Sequence, residues 1–204
     1  VFASGSLYGI NGDEGSIIEI DPLFGAPQKK AENADLKNAY STTELPESGF
    51  ALLGNSAVWQ YSSAGGLTQL KANNLPRASS IASYLNNLYF LSPQENQVVR
   101  FTKSGINLTS KTNMLRNVAG GKLNGTNSLA VFGNIFVAKD KGILLFEQGE
   151  ERSFKINNLP SSFGDIKSIY YNSSGNYFMA LNSNSTRLAQ IGLDSDSAIY
   201  KKSF

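Results

Sequence analysis

The chain has 204 residues, 41% of them hydrophobic and 17% charged, with a net charge of +2, a composition that suits one folded domain with a sizeable core and argues against disorder. It contains no cysteine and no histidine, which excludes disulfides, thiolate metal sites, the commonest transition-metal ligand and every Ser-His or Cys-His nucleophile pair. So small a positive excess does not make the concentrated basic face that nucleic acid requires, and no apolar run approaches the roughly 18 residues needed to span a bilayer.

The chain is strand-like from its first residues, "VFASGSLYGI", with no initiator Met and no basic and then apolar leader. It is therefore expected to be a processed or excised domain of a longer protein, of an extracellular or cell-surface kind. Four Asn-x-Ser/Thr sequons, at Asn107, Asn124, Asn172 and Asn184, are about as many as this Asn, Ser and Thr content gives by chance, so they carry no argument about secretion.

In chain order, five stretches repeat one pattern: "SLYGINGDEGSIIEIDP", "FALLGNSAVWQYSSAGG", "LYFLSPQENQVVRFTKSG", "IFVAKDKGILLFEQGE" and "YFMALNSNSTRLAQIGLDS". Each reads as an apolar strand, a short polar turn, a second strand and a Gly/Ser/Asp turn. The aligned positions Tyr8, Ala51, Tyr89, Phe136 and Phe178 lie 43, 38, 47 and 42 residues apart, the period of a propeller blade. Independently, "KANNLP" at Lys71 to Pro76 returns as "KINNLP" at Lys155 to Pro160, two periods later. A further short strand precedes the main one: "IASY" before the turn Asn86-Asn87, "LAVF" before Gly133-Asn134 and "SIYY" before Ser174-Gly175-Asn176. Such Asn and Gly residues tolerate the positive φ of tight hairpins. A fourth strand follows each third one, at Gln28 to Ala31, Leu67 to Lys71, Ile106 to Lys111, Glu151 to Ile156 and Ala198 to Ser203.

The expectation is an all-β fold, a five-bladed β-propeller of four-stranded antiparallel blades at about 1–34, 35–74, 75–114, 115–158 and 159–204, because one blade alone cannot bury both its faces and must stack on neighbours. Tyr8, Tyr89, Phe136, Tyr177, Trp59, Phe101 and Phe146 are expected to pack between blades. The chain would start at the innermost strand of the first blade and end at the outermost strand of the fifth, with no strand exchanged across the seam.

The stretch "LYFLSPQENQVVRFTKSG" resembles the NHL repeat, in which an aromatic-apolar strand leads through a polar turn to an arginine-bearing strand and a closing Gly; Tyr89, Asn96, Arg100, Phe101 and Gly105 hold the matching positions. "LYGINGDEGSIIEIDP" is similar to quinoprotein-like and lactonase-like repeats. These resemblances imply propeller architecture, which serves binding scaffolds and enzymes alike. The NHL-type lyases rely on histidine metal ligands, so their activity is not implied for a chain without histidine.

Candidate chemistry falls on the loops. In a propeller, the turns between second and third strands share one face with the loops that cross from blade to blade. The crossing loops "DLKNA", "NLPRAS", "MLRNVA" and "NLPSS" place leucines at 36, 75, 115 and 159, and three of them carry a cation just after it: Lys37, Arg77 and Arg116. The leucine is expected to plug the blade junction and the cation to face an anionic ligand, since arginine grips carboxylate or phosphate bidentately. Asp13, Glu95 and Asp140 occupy equivalent turns. Convergence of these on the channel would suit a carboxylate- or metal-dependent enzyme of glycosidase or lactonase type; otherwise they are ordinary turn residues. "DSDS" at Asp194 to Ser197 and "NSNST" at Asn182 to Thr186 alternate oxygens as calcium loops do, but lack the central Gly and distal Glu of an EF-hand. "GGKLNGT" at Gly120 to Thr126 lacks the upstream Gly and the Ser/Thr after Lys122 of a phosphate loop.

The preferred expectation is a non-catalytic, monomeric binding module that takes a protein or glycan on its loop face through Lys37, Arg77, Arg116, Glu95, Asp140 and Asp13, with no cofactor, no nucleic acid and no membrane contact of its own. A propeller enzyme is the alternative.

Overall fold

The computed structural model describes the chain except residues 4, 21–24, 47, 48, 173, 195 and 196. The described strands are β1 (Phe2–Ala3), β2 (Ser6–Asn11), β3 (Ser16–Ile20), β4 (Gln28–Glu32), β5 (Ser41–Glu44), β6 (Phe50–Leu53), β7 (Val58–Ser62), β8 (Gly66–Ala72), β9 (Ser80–Tyr84), β10 (Asn87–Ser92) and β11 (Gln97–Ser104). They continue as β12 (Asn107–Asn113), β13 (Ser128–Phe132), β14 (Asn134–Lys139), β15 (Gly142–Glu147), β16 (Glu150–Arg152), β17 (Lys155–Asn157), β18 (Ile166–Asn172), β19 (Tyr177–Asn182), β20 (Leu188–Leu193) and β21 (Ser197–Ser203). Two short 3-10 turns, Ala34–Asn38 and Ser161–Phe163, interrupt them. Among the described residues no helix is long and apolar enough to cross a membrane.

Neighbours in sequence pair antiparallel into successive four-stranded meanders, β1 to β4, β5 to β8, β9 to β12, β13 to β16 and β18 to β21. The expectation that each blade stands as its own sheet fails at two junctions, the first of them between the second and third meanders. There β8 and β12 pair in parallel, Lys71 beside Asn107 and Ala72 beside Leu108, so the second and third meanders form one eight-stranded sheet. The cause is geometric: the outer strand of one meander ends where the next outer strand begins, and the Lys71 N–H reaches the Ile106 carbonyl at 2.8 Å. The same geometry splits the strand expected from Glu151 to Ile156. Its first part, β16, closes the fourth meander, and its second, β17, runs parallel to β21 of the last one. Phe154 marks the break, turned in against Phe136 with ring centroids 6.0 Å apart.

Two smaller expectations shift by one residue. The first hairpin of the third meander turns at Leu85-Asn86 rather than Asn86-Asn87, because Asn87 already pairs with Tyr84. Leu85 takes φ +52 there, a left-handed conformation uncommon for a bulky residue. In the last meander the Tyr170–Met179 pairing puts Met179, not Phe178, where Ala51, Tyr89 and Phe136 stand opposite Thr43, Ala82 and Ala130.

Successive side chains of a strand point to opposite faces, and apolar clusters fill the gaps between consecutive meanders. Tyr8, Ile17, Phe50 and Tyr61 fill the first, Leu53, Val58, Phe90 and Phe101 the second. Tyr89, Leu91, Val137 and Phe146 fill the third, Phe136, Ile169, Phe178 and Ile191 the fourth. Trp59 packs against the first cluster. Tyr177 is the exception among the expected aromatics: it is only half-buried, and Phe178 beside it, fully buried, meets Phe136 at 4.9 Å. No described residue of the first meander shares a buried cluster with the last. Their outward faces keep Phe2 57%, Leu7 39%, Tyr170 56% and Leu188 36% exposed.

The inner strands are stitched by hydroxyls. Ser41 Oγ accepts the Ile81 N–H at 3.1 Å, Thr43 Oγ1 accepts the Ser83 N–H at 2.9 Å, and Ser128 Oγ accepts the Ile169 N–H at 2.9 Å. Each satisfies a backbone donor on an edge strand that has no ladder partner on that side.

Candidate functional site

The crossing loops and the turns between second and third strands do gather at one end of the meanders. The Asn33 N–H donates to the Gly15 carbonyl at 2.9 Å, the Asp140 carbonyl accepts from Ile166, and the Ser183 N–H donates to the Asp165 carbonyl at 2.8 Å. Polar side chains of the turns hold these loops. Asn96, at φ +51, donates to the Ala119 carbonyl at 3.0 Å and accepts the Leu123 N–H at 3.0 Å. Gln97 grips Leu115 from both sides, accepting its N–H at 2.6 Å and donating to its carbonyl at 3.2 Å.

All four crossing-loop leucines turn inward. Leu36 and Leu115 are buried in the first and third clusters, and Leu75 and Leu159, partly buried, pack on the second and fourth. The cations beside them are exposed. Lys37 lies over the first meander's turn, its stem close to Gly15, and it helps Lys29 hold the Glu14 carboxyl below the usual range; the Lys29 hydrogen bond dominates. Arg77 follows the second junction, where its carbonyl accepts the Ser92 hydroxyl at 2.9 Å. Arg116 is drawn to the outer edge of the third, its N–H donating to the Gly149 carbonyl at 2.7 Å. Among the described residues, neither Arg77 nor Arg116 has a carboxylate partner.

The fourth crossing loop has no cation of its own, yet one reaches it. Arg187, in the turn before β20, donates to the Ser162 carbonyl at 2.9 Å and to its hydroxyl at 3.0 Å. Sequence reasoning missed it because the turn is 25 residues away from its partner; its signal was Asn182, whose buried amide folds the 182–187 turn by accepting the N–H groups of Thr186 and Arg187 at 2.9 and 3.1 Å. That network makes "NSNST" a structural turn.

The acidic candidates lie on exposed turns. Asp13, Glu95 and Asp140 are exposed: Asp13 offers its N–H to the Asn11 side chain at 3.1 Å, Glu95 lies in the turn closed by Asn96 N–H on the Pro93 carbonyl at 3.1 Å, and Asp140 takes φ +50 at its turn. Among the described residues no three acidic groups come close enough to hold a metal ion. Asp194 closes a turn with Ser197, N–H to carbonyl at 2.9 Å, while Asp196 lies outside the described residues. Lys122 of "GGKLNGT" is engaged by Glu151 at 2.7 Å. A groove of about 560 Å³ lies at the outer edge where β8 and β12 splay, lined by Gln69, Lys71, Asn73, Asn107 and Thr109.

No protein-family model and no curated protein sequence matches the chain. Solved structures do resemble it. The nidogen/laminin complex aligns with TM-score 0.67 at 10% identity over 97% of this chain and 84% of that one. Catalytically inactive virginiamycin B lyase from Staphylococcus aureus with quinupristin aligns with TM-score 0.66 at 16% identity, over 98% and 67%. A gluconolactonase from Xanthomonas campestris aligns with TM-score 0.65 at 12% identity, over 89% and 67%. At such identities the likeness speaks for fold and not for activity, and the fold it establishes is that of a β-propeller repeat protein.

Proposed function

We propose that the chain is a five-bladed β-propeller module that binds an anionic partner, a protein segment or acidic glycan, without transforming it. The observation that carries this is the set of crossing loops: at three successive junctions a leucine anchors the loop in the core and leaves Lys37, Arg77 or Arg116 exposed beside it. A loop pinned in this way presents its cation with little ordering cost on binding. The nidogen/laminin complex among the structural neighbours supports a protein as the partner. The enzyme alternative has no comparable support, since Asp13, Glu95 and Asp140 are all exposed.

The test is calorimetric titration of wild type and the R77E/R116E double variant with a glutamate-rich peptide and with a sulfated oligosaccharide. Reversing two charges should weaken binding about tenfold or more and flatten its salt dependence, as charges separated by more than about 8 Å are screened at physiological ionic strength. Unchanged affinity in the double variant would overturn the proposal.

A further inference from the structure

Each inner meander has a front face, turned toward the meander that follows, and a rear face, turned toward the one before. On the third meander the rear face carries Leu88, Val99 and Phe101 into the second cluster, and the front face carries Tyr89, Leu91 and Val98 into the third. All of them are buried. Cross-strand pairing fixes their counterparts at the two ends of the row. Tyr8 opposite Glu19 stands in the first meander where Tyr89 opposite Arg100 stands in the third, so Leu7, Ile18 and Ile20 hold the positions of Leu88, Val99 and Phe101. Met179 opposite Gln190 stands there in the last meander, so Met179, Leu181 and Leu188 hold the positions of Tyr89, Leu91 and Val98. The rear positions of the second and fourth meanders, Phe50 with Tyr61 and Ile135 with Phe146, are buried as those of the third are.

Both end faces have the apolar side chains of a junction without its burial. Leu7 is 39% exposed where Leu88 is 0%, and Leu188 is 36% exposed where Val98 is 0%. Ile18, Ile20, Met179 and Leu181 are half-buried. Phe2 and Tyr170, opposite Leu7 and Met179, are more than half exposed. Direct closure of the ring would bury the two faces in each other, yet among the described residues they share no cluster. A propeller protects such faces by repeating blades around a closed ring.

We propose that the seam between the first and last meanders is the docking site of one further four-stranded β-meander, carried on the same polypeptide outside residues 1–204. Its rear face covers Met179, Leu181 and Leu188, and its front face covers Leu7, Ile18 and Ile20. A single meander suffices, because it has one face of each kind. The lengths of the structural neighbours support this: 97% of this chain covers 84% of the nidogen/laminin chain, which leaves roughly 40 residues of that chain over, about one blade. The virginiamycin B lyase and the gluconolactonase leave more. The proposal does not depend on what the crossing-loop cations bind.

The probe is a sixth meander made from the chain's own third, residues 73–114, fused after Phe204 in one protein and ahead of Val1 in another. Hydrogen exchange, melting and light scattering compare both fusions with the wild type. A fusion should stay monomeric, slow exchange in β2, β3, β19 and β20 about tenfold or more and raise Tm, because each end meander gains a neighbour. In the unfused chain L7D and L188D should lower Tm by no more than about 2 °C, as exposed positions do, and L88D should lower it several times more. In the fusions L7D and L188D should each remove the gain. Failure of both fusions to add protection at the two ends, whether or not they fold, overturns the proposal. So does a wild type that dimerises with those strands protected, which makes a second copy the occupant, or an L7D loss as large as that of L88D, which means that the two ends already meet.

Discussion

Truncating Leu36 to alanine tests whether the crossing-loop leucines hold the meanders together. The side chain is 0% exposed, packed with Ala3, Ile17, Phe50 and Leu52 in the first junction. Its 3-10 turn cannot follow a cavity inward, because Asn33 is tied to the Gly15 carbonyl at 2.9 Å and caps Asp35 at 2.9 Å. Poor collapse puts the change within the range of about 2–5 kcal/mol known for buried leucine, with about 3 kcal/mol a central value. In a domain of this size each kcal/mol moves Tm by roughly 2–4 °C, so L36A should melt about 6–12 °C lower. L75A, at the second junction, removes a side chain that is only partly buried and should lose about half as much. Calorimetric melts of both variants give the comparison, and hydrogen exchange should show the loss concentrated in β2 and β3. A melt of L36A within about 2 °C of wild type, or a larger loss for L75A, would refute the plug.

Three further outcomes follow from other contacts. S128A leaves the Ile169 N–H, now bonded at 2.9 Å, without its acceptor, which should cost about 1–3 kcal/mol and speed exchange of that amide; unchanged exchange would count against the hydroxyl stitching. Gly149 has φ +88, and an added Cβ would lie 2.5 Å from the Met114 carbonyl, so G149A should lose more than about 1 kcal/mol and displace the Arg116 amide signal. G133A, at φ +68 in open space, carries only the conformational strain and should lose less. Glu14 and Glu19 are both held below the usual carboxylate range, chiefly by hydrogen bonds from Lys29 and Lys30. A carboxyl lowered on folding stabilises fully above its unfolded value and stops doing so as pH falls through the folded one, so the first meander should loosen in acid and E19Q should flatten that dependence of the denaturation midpoint.

The repeat was legible because blade geometry imposes a period, and the apolar runs around Tyr8, Ala51, Tyr89 and Phe136 keep it. What escaped was parity. One residue of slip exchanges the two faces of a strand, and "YF" at Tyr177-Phe178 offers an aromatic to each face, so pattern alone could not choose the packed one. The departure of β17 to the next meander depends on outer strands meeting end to start, a long-range matter that Glu151 to Ile156 cannot express locally. In the candidate site, Leu36 and Leu115 announced themselves as lone apolar residues in polar loops. Arg187 did not, because its partner Ser162 is distant in sequence.

Among the described residues, four buried clusters join consecutive meanders and none joins the first to the last, which makes the described core energetically a row. In a row each member is stabilised by its own fold and by its immediate neighbours. The outermost meanders have one neighbour and the inner ones two, so opening should begin at the ends and spread inward. Protection from exchange should then rise toward β9 to β12 in the middle.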